Sequence, residues 1–416
     1  MNKFNLGNIG FALSAAILLV ACGGGGGGGS TSSAYVGTIT GFGSVFVNGV
    51  EFDTSNTSIS VDGSSGTEND LKVGMQVTIK GSASGSTGTA SSITFNDDLE
   101  GLVISNSIAS GQKTGDMNIM GQIVTVSGST VFESKITGVT TPDQVTVGMI
   151  LEVSGFSSGT GSVQATRIEV KAADLTTYLS SHAEGIEVKG IVSNLDTNNM
   201  TFDLGGMTVS YAGASLSGFT TSVKDGLYVE VKSTQGLDGI TGNLVASKVE
   251  LENNGKKGHD SDSDGEVEIK GLVTTAVSGN SFAINGEVII IDSNTIFDNI
   301  KQSDLLVDVM IEVEAYYVNG ALVARKIELE NNSSNEIKGV VAKVTSTALN
   351  TGVVTMTDGT VIAVNSSTIM KDSRSLGVTP VAKFNLSFLA QGDTVEIKYY
   401  DDKGTLIATK LEREDP

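Results

Sequence analysis

The stretch GTITGFGSVFVNGVEFDT, residues 37–54, decides the fold. At its centre, Phe46-Val47-Asn48-Gly49-Val50 sets an Asn-Gly pair between β-prone apolar residues. Asn and Gly accept positive φ, so they close a two-residue hairpin whose twist matches its strands. The same signal returns as Ile284-Asn285-Gly286-Glu287 and Thr357-Asp358-Gly359-Thr360, as Gly205-Gly206, and more weakly at Met120-Gly121. A second hairpin turn precedes the last strand, as Asn319-Gly320 and Lys403-Gly404.

Three landmarks recur in fixed order around these turns. The first is a glycine followed by a β-prone pair, opening at Gly37, Gly101, Gly190, Gly271 and Gly339. The second is an alternating strand after a tight approach, as in Val73 to Ile79 and Val147 to Val153, with counterparts at Asp225 to Val231, Asp308 to Val313 and Gly392 to Ile397. The third is Ala-x-x-aliphatic: Ala90/Ile93, Ala165/Ile168, Ala246/Val249, Ala324/Ile327 and Ala408/Leu411. One repeat therefore reads strand, strand, tight turn, strand, excursion, strand, turn, strand. Pieces such as Ile311-Glu312-Val313-Glu314 give each strand one buried and one wet face.

The expected fold is all-β, a tandem array of five small OB-like β-barrel modules after a signal peptide and a Gly-rich tether. The divisions are a signal at 1–21, a tether at 22–34, and repeats at 35–98, 99–171, 186–252, 266–331 and 335–413. Linkers fall at 172–185, holding a candidate helix at Ala172 to Ser181, and at the acidic 253–265. A unit this small is marginal alone, so neighbouring repeats are expected to dock.

With LKVGMQVTIKG (71–81) and ASSI (90–93) following it, the opening stretch resembles the module called domain-of-unknown-function family 5666. The resemblance spans Tyr35 to Glu412, best in repeats one and four. It implies architecture and a Gram-negative lipoprotein setting, and supplies no catalytic residue. Repeat two departs from the pattern by an insertion around Thr114 to Gly121, repeat five by one around Lys371 to Ser387.

The N-terminus suits that setting. Lys3 precedes an apolar run, Phe11 to Ala21, too short to span a bilayer and suited to the core of a secretory signal. It ends Leu19-Val20-Ala21-Cys22, which resembles a lipobox. The resemblance implies that Cys22, the only cysteine, is lipidated after cleavage. Seven glycines and a Ser/Thr stretch follow, a flexible tether with an r.m.s. span of roughly 20 Å. Gly23 stands where lipoproteins kept at the inner membrane often carry aspartate, so the expected address is the outer membrane, facing periplasm or cell surface. The net charge of −21 argues against nucleic acid as a partner.

Few residues propose chemistry. His182 and His259 lie in different linkers, where neither promises the packing a catalytic base needs. The many carboxylates read as solvated strand faces. Asp260, Asp262, Asp264 and Gly265 carry calcium-loop spacing, but Gly271 stands where the twelfth-position acid belongs, so the segment reads first as a flexible acidic linker and second as a calcium loop. Calcium is the one cofactor this spacing raises. Tyr316-Tyr317 and Tyr399-Tyr400 occupy matching strand ends, with Phe42 and Phe46 in repeat one, and alternation turns one of each Tyr pair inward. The expected function is a membrane-anchored, non-catalytic scaffold that contacts an envelope or surface protein or glycan. The alternative is a carbohydrate- or peptide-binding protein using OB-like faces.

Overall fold

The computed structural model describes residues 33–416 except 98, 159, 221, 253–265, 285–286, 308, 319–320, 331–334, 377 and 403. Cys22, its signal and most of its tether, His259, Asp260, Asp262, Asp264 and the Asn285-Gly286 and Asn319-Gly320 turns lie outside the described residues.

Each repeat opens on a strand long enough to serve two partners. In the first, Ser33–Phe42 pairs antiparallel with Gln76–Ser84 along its first half and with Val45–Val47 along its second. Val50–Asp53 returns from the hairpin and lies parallel to Thr87–Phe95, which pairs with Gln76–Ser84 and closes the ring. Asn48 and Gly49 take φ of 51° and 79°, as the hairpin signal requires.

The same ring forms from Leu99–Asn106, Gly115–Ile119, Gln122–Ser134, Ile150–Ser157 and Ser162–Ala172. It forms again from residue 266 to 329 and from 335 to 414. Between residues 186 and 251 the pairing order is similar, but the last strand is broken into Leu244–Val245 and Lys248–Leu251. The chain is thus all-β, with several small closed five-stranded barrels. Its one α-helix among the described residues, Leu175–Leu179, is capped by Asp174, which accepts from the Thr177 amide at 2.8 Å.

The landmarks have physical reasons. The tight approach is a turn whose glycine needs positive φ: Gly74 at 92°, Gly148 at 95°, Gly226 at 84° and Gly392 at 94°. The amides of these glycines donate to Ile39, Val103, Val192 and Val341 of the opening strand. The alanine and aliphatic residue of each third landmark are buried in a barrel core.

A fourth recurrence is invisible in the periodicity. The hydroxyls of Thr57, Thr130, Thr295 and Thr368 donate to the carbonyls of Ala90, Ala165, Ala324 and Ala408 at 2.7–2.8 Å. These bonds tie the excursion to the last strand.

Docking does not follow sequence order. Ala34–Val36 of the first barrel pair parallel with Val267–Ile269 of the barrel at 266–329. Glu187 and Val188 pair antiparallel with Glu100 and Leu99. The last barrel leans on the first two: Ser366 donates to the Gly49 carbonyl at 2.7 Å, and Lys371 to that of Phe132 at 2.9 Å. The expectation that sequence neighbours dock holds for only some of these joints, because edge complementarity, not chain proximity, selects the partner.

Two further expectations are corrected. Thr114 to Gly121 is no insertion: Gly115–Ile119 is the barrel's own hairpin strand, turned at Met120 and Gly121 with φ of 45° and 79°. The turn was faint because methionine stands where asparagine or aspartate advertises it. The acidic strand faces are also far from uniformly solvated. Asp97, Glu152, Glu169, Glu187, Glu230, Asp372, Glu396 and Glu412 are buried, Asp97 where Lys189 of the strands at 186–251 reaches it and Asp372 beneath Arg374 and Arg413 of its own barrel.

Candidate functional site

A concentration of buried charge lies where the first barrel meets the second and continues to the strands at 186–251. A cleft of about 410 Å³ opens there. Val61, Met75 and Phe95 of the first barrel line its apolar side, and Glu133, Glu152 and Glu169 of the second its acidic side, with Lys72, Lys135 and Lys171 around them.

The second barrel grips the turn at residues 72–75. Thr166 Oγ1 donates to the Gly74 carbonyl at 2.7 Å, and the Gln76 amide donates to Ser154 Oγ at 2.7 Å. Arg167, its side chain only 2% exposed, reaches the Val73 carbonyl at 3.3 Å. Its Nη2 also donates to Glu133 at 2.7 Å and Glu169 at 3.0 Å. A β-carbon on Gly74 would lie 2.8 Å from the Thr166 carbonyl oxygen, so the close approach demands glycine as well as the turn does.

The charges hold one another in place. Burial would push Glu169 up, but the Lys135 hydrogen bond and the charges of Lys171 and Arg167 hold it down at about 2. Glu133 is lowered too, burial being outweighed by Arg167. Lys171 donates to Glu152 and is raised, burial being overcome by Glu152 and Glu100. Asp62 is pushed up by burial, and its Oδ1 accepts from the Asp97 amide at 3.0 Å.

Deeper in, Lys189 Nζ donates to the Asp97 carbonyl at 2.8 Å and lies 3.3 Å from Glu187 and 3.4 Å from Glu230. Burial and the Glu187 charge raise Asp97. Its hydrogen bond, with Lys189 and Lys232, outweighs burial to lower Glu187. Burial pushes Glu100 up to about 7, against the opposing influence of the nearby Tyr178 hydroxyl and Lys171. Lys189 is the link from the strands at 186–251 to Asp97, and the other pairs compensate carboxylate within those strands.

His182 is better held than its linker position suggests. Its ring stacks on Tyr178 at 4.1 Å, and Nδ1 lies 3.0 Å from the Tyr178 carbonyl and 3.0 Å from Ser181 Oγ. A carbonyl only accepts, so that contact places the proton on Nδ1, which then has no lone pair to take a proton from Ser181. Tyr317 and Tyr399 pack against barrel cores, as alternation indicates, and Phe42 and Phe46 are buried. The structure brings none of these aromatics into the cleft lining, where Phe95 stands alone. The ionic joint itself was missed. Its only sequence trace is lysine or arginine beside glutamate on last strands, as in Arg167-Ile168-Glu169-Val170-Lys171.

The family model described as Domain of unknown function (DUF5666) matches residues 35–94, 100–169, 270–328 and 338–412. These matches cover more than half of the chain, which belongs to that family as a repeat protein. No curated protein matches it. The unmatched strands at 186–251 are those with the broken last strand, and Tyr211–Ala214 carries no threonine at the place of Thr57 or Thr368.

Proposed function

We propose that this chain is a membrane-anchored, non-catalytic scaffold of five OB-like modules, the strands at 186–251 forming a divergent third. It is lipidated at Cys22 and held at the outer membrane to contact another envelope or surface component. One observation carries the non-catalytic part: the ionisable groups of the cleft are paired with one another, as Arg167 is with Glu133 and Glu169 while it also reaches the Val73 carbonyl of the first barrel. A catalytic acid or base needs a proton-transfer atom facing substrate, whereas these atoms face their partners. The lipobox-like run to Cys22 and the glycine tether support the anchor.

The test compares wild type with Cys22→Ser in intact cells and in membrane fractions. Wild type fractionates with membranes and Cys22→Ser is released from them. Digestion by external protease then assigns the cell surface, and protection until permeabilisation assigns the periplasm. Equal membrane retention of both chains overturns the anchor.

The roughly 410 Å³ cleft favours a second reading, an oligosaccharide or peptide site with Phe95 and Met75 as its apolar wall. Saturable binding to a glycan or peptide array, lost on Lys72→Ala, would install that reading instead.

A further inference from the structure

Opening strands make the principal strand-to-strand joints of this molecule. Ala34–Val36 pair with Val267–Ile269, and Leu99–Glu100 with Val188–Glu187. The fifth opening strand, Asn335–Ala348, is built the same way but has no such partner among the described residues. Its first half pairs with Thr394–Asp402 on one side only.

Burial records the difference. Ala34, Tyr35 and Val36 are buried, as are Leu99, Glu187, Val188, Val267 and Ile269. Asn335, Glu336, Lys338 and Val340 are exposed.

The direction of the outer edge follows from hydrogen bonding. The Val341 amide donates to Asp393 and the Val341 carbonyl accepts from Gly392, each at 2.9 Å. Alternation then points the backbone groups of Ile337 and Gly339 toward Thr394–Asp402, and those of Glu336 and Lys338 away from it. The same parity operates at a joint already made. Val103 and Val192 bond their own fourth-strand turns, which leaves Glu100 and Glu187 facing outward and opposite each other.

We propose that this edge docks a second copy of the chain, the two fifth opening strands pairing antiparallel about a two-fold axis at Ile337. That register sets Glu336 of each copy opposite Lys338 of the other, and both residues present outward backbone groups. A two-fold contact must be self-complementary, and Glu-Ile-Lys is. Charge on an edge often blocks pairing. Here the outward positions of the existing joints are charged as well, at Glu100, Glu187 and Glu268. The proposal goes beyond the scaffold reading and is independent of anchoring.

The test uses full chains carrying Cys22→Ser, one with Glu336→Cys and one with Lys338→Cys, mixed and oxidised. The mixture gives several-fold more disulfide dimer than either chain alone, because 336 faces 338 directly while like positions are diagonal. Equal yields, or none, overturn the register. Sedimentation of the Cys22→Ser chain shows mass rising with concentration. Lys338→Pro removes an outward amide and the Lys338–Glu396 ion pair, leaves the barrel's own backbone hydrogen bonds intact and abolishes that rise, with the circular dichroism spectrum unchanged. A concentration-independent monomer, or dimers indifferent to Lys338→Pro, overturns the proposal.

Discussion

The first barrel is held by two joints of opposite character. Toward the second barrel it is gripped by side chains: Arg167 and Thr166 donate to the Val73 and Gly74 carbonyls and Ser154 accepts from the Gln76 amide. Arg167, Lys135 and Lys171 meanwhile neutralise the second barrel's own Glu133, Glu169 and Glu152 at that face. Toward the barrel at 266–329 it is joined by backbone, through a parallel strand pair flanked by Glu268 and Glu312. There burial, opposed by the nearby Asn48 amide and assisted by Glu314, pushes Glu268 up to about 7. Burial and the Glu268 charge push Glu312 up to about 8. One joint is electrostatically compensated and the other is short of cations. The first should therefore fail when a charge is removed, and the second should tighten.

Arg167→Ala tests the first joint most severely. It removes a buried guanidinium that bonds Val73, Glu133 and Glu169. Breaking a buried pair from one side costs about 3–5 kcal/mol, and the loss falls toward the lower end because Lys135 still pairs with Glu169. Urea unfolding of the two chains measures the loss. A loss below about 1 kcal/mol would show that the pair is incidental.

Equivalent glycines sharpen the comparison. Gly74 and Gly148 have nearly the same φ, but a β-carbon meets Thr166 and Arg167 at Gly74 and nothing within 4 Å at Gly148. Gly148→Ala should cost about 1–2 kcal/mol from backbone strain alone. Gly74→Ala should add about 1–3 kcal/mol for overpacking. Equal melting-temperature shifts would remove the joint from the account.

The smallest effect is a pH dependence of opposite sign at the two joints. Glu169, lowered to about 2, contributes stability present above the unfolded carboxyl value and lost as pH falls toward 2. Glu268 and Glu312, raised to about 7 and 8, bind protons more tightly folded than unfolded. Their contribution declines as pH rises from the unfolded value through that range. Glu312→Gln should flatten the alkaline limb and stabilise the chain by about 1 kcal/mol at pH 8. Denaturation midpoints across pH, compared with wild type, check both limbs.

The ring of strands was legible because its constraints are local. Asn48-Gly49 needs positive φ and Gly74 needs its turn, whereas Ala90 and Ile93 share a face only through the bulge at Ser91 between them. The joints were not legible for the converse reason. Glu152 and Glu169 alternate outward as any wet residue would, and only the second barrel's approach to the first buries them. Met120-Gly121 shows how a local signal fades when one turn residue is replaced and the fold still enforces its geometry. Thr57 and Thr368 are short polar residues in a Ser/Thr-rich chain, so their shared role emerges only from the alanine carbonyls they reach.

The parallel pairing of Ala34–Val36 with Val267–Ile269 also sets an order of events. These strands lie more than two hundred residues apart, so a chain made at 5–20 residues per second leaves the first edge open for roughly 10–50 s before its partner exists. The N-terminal barrel can close as soon as residue 95 is available, but until the barrel at 266–329 is made it carries an uncapped β-edge. Whatever escorts the nascent chain must shield that edge for this interval, and slow synthesis through residues 96–265 lengthens the exposure.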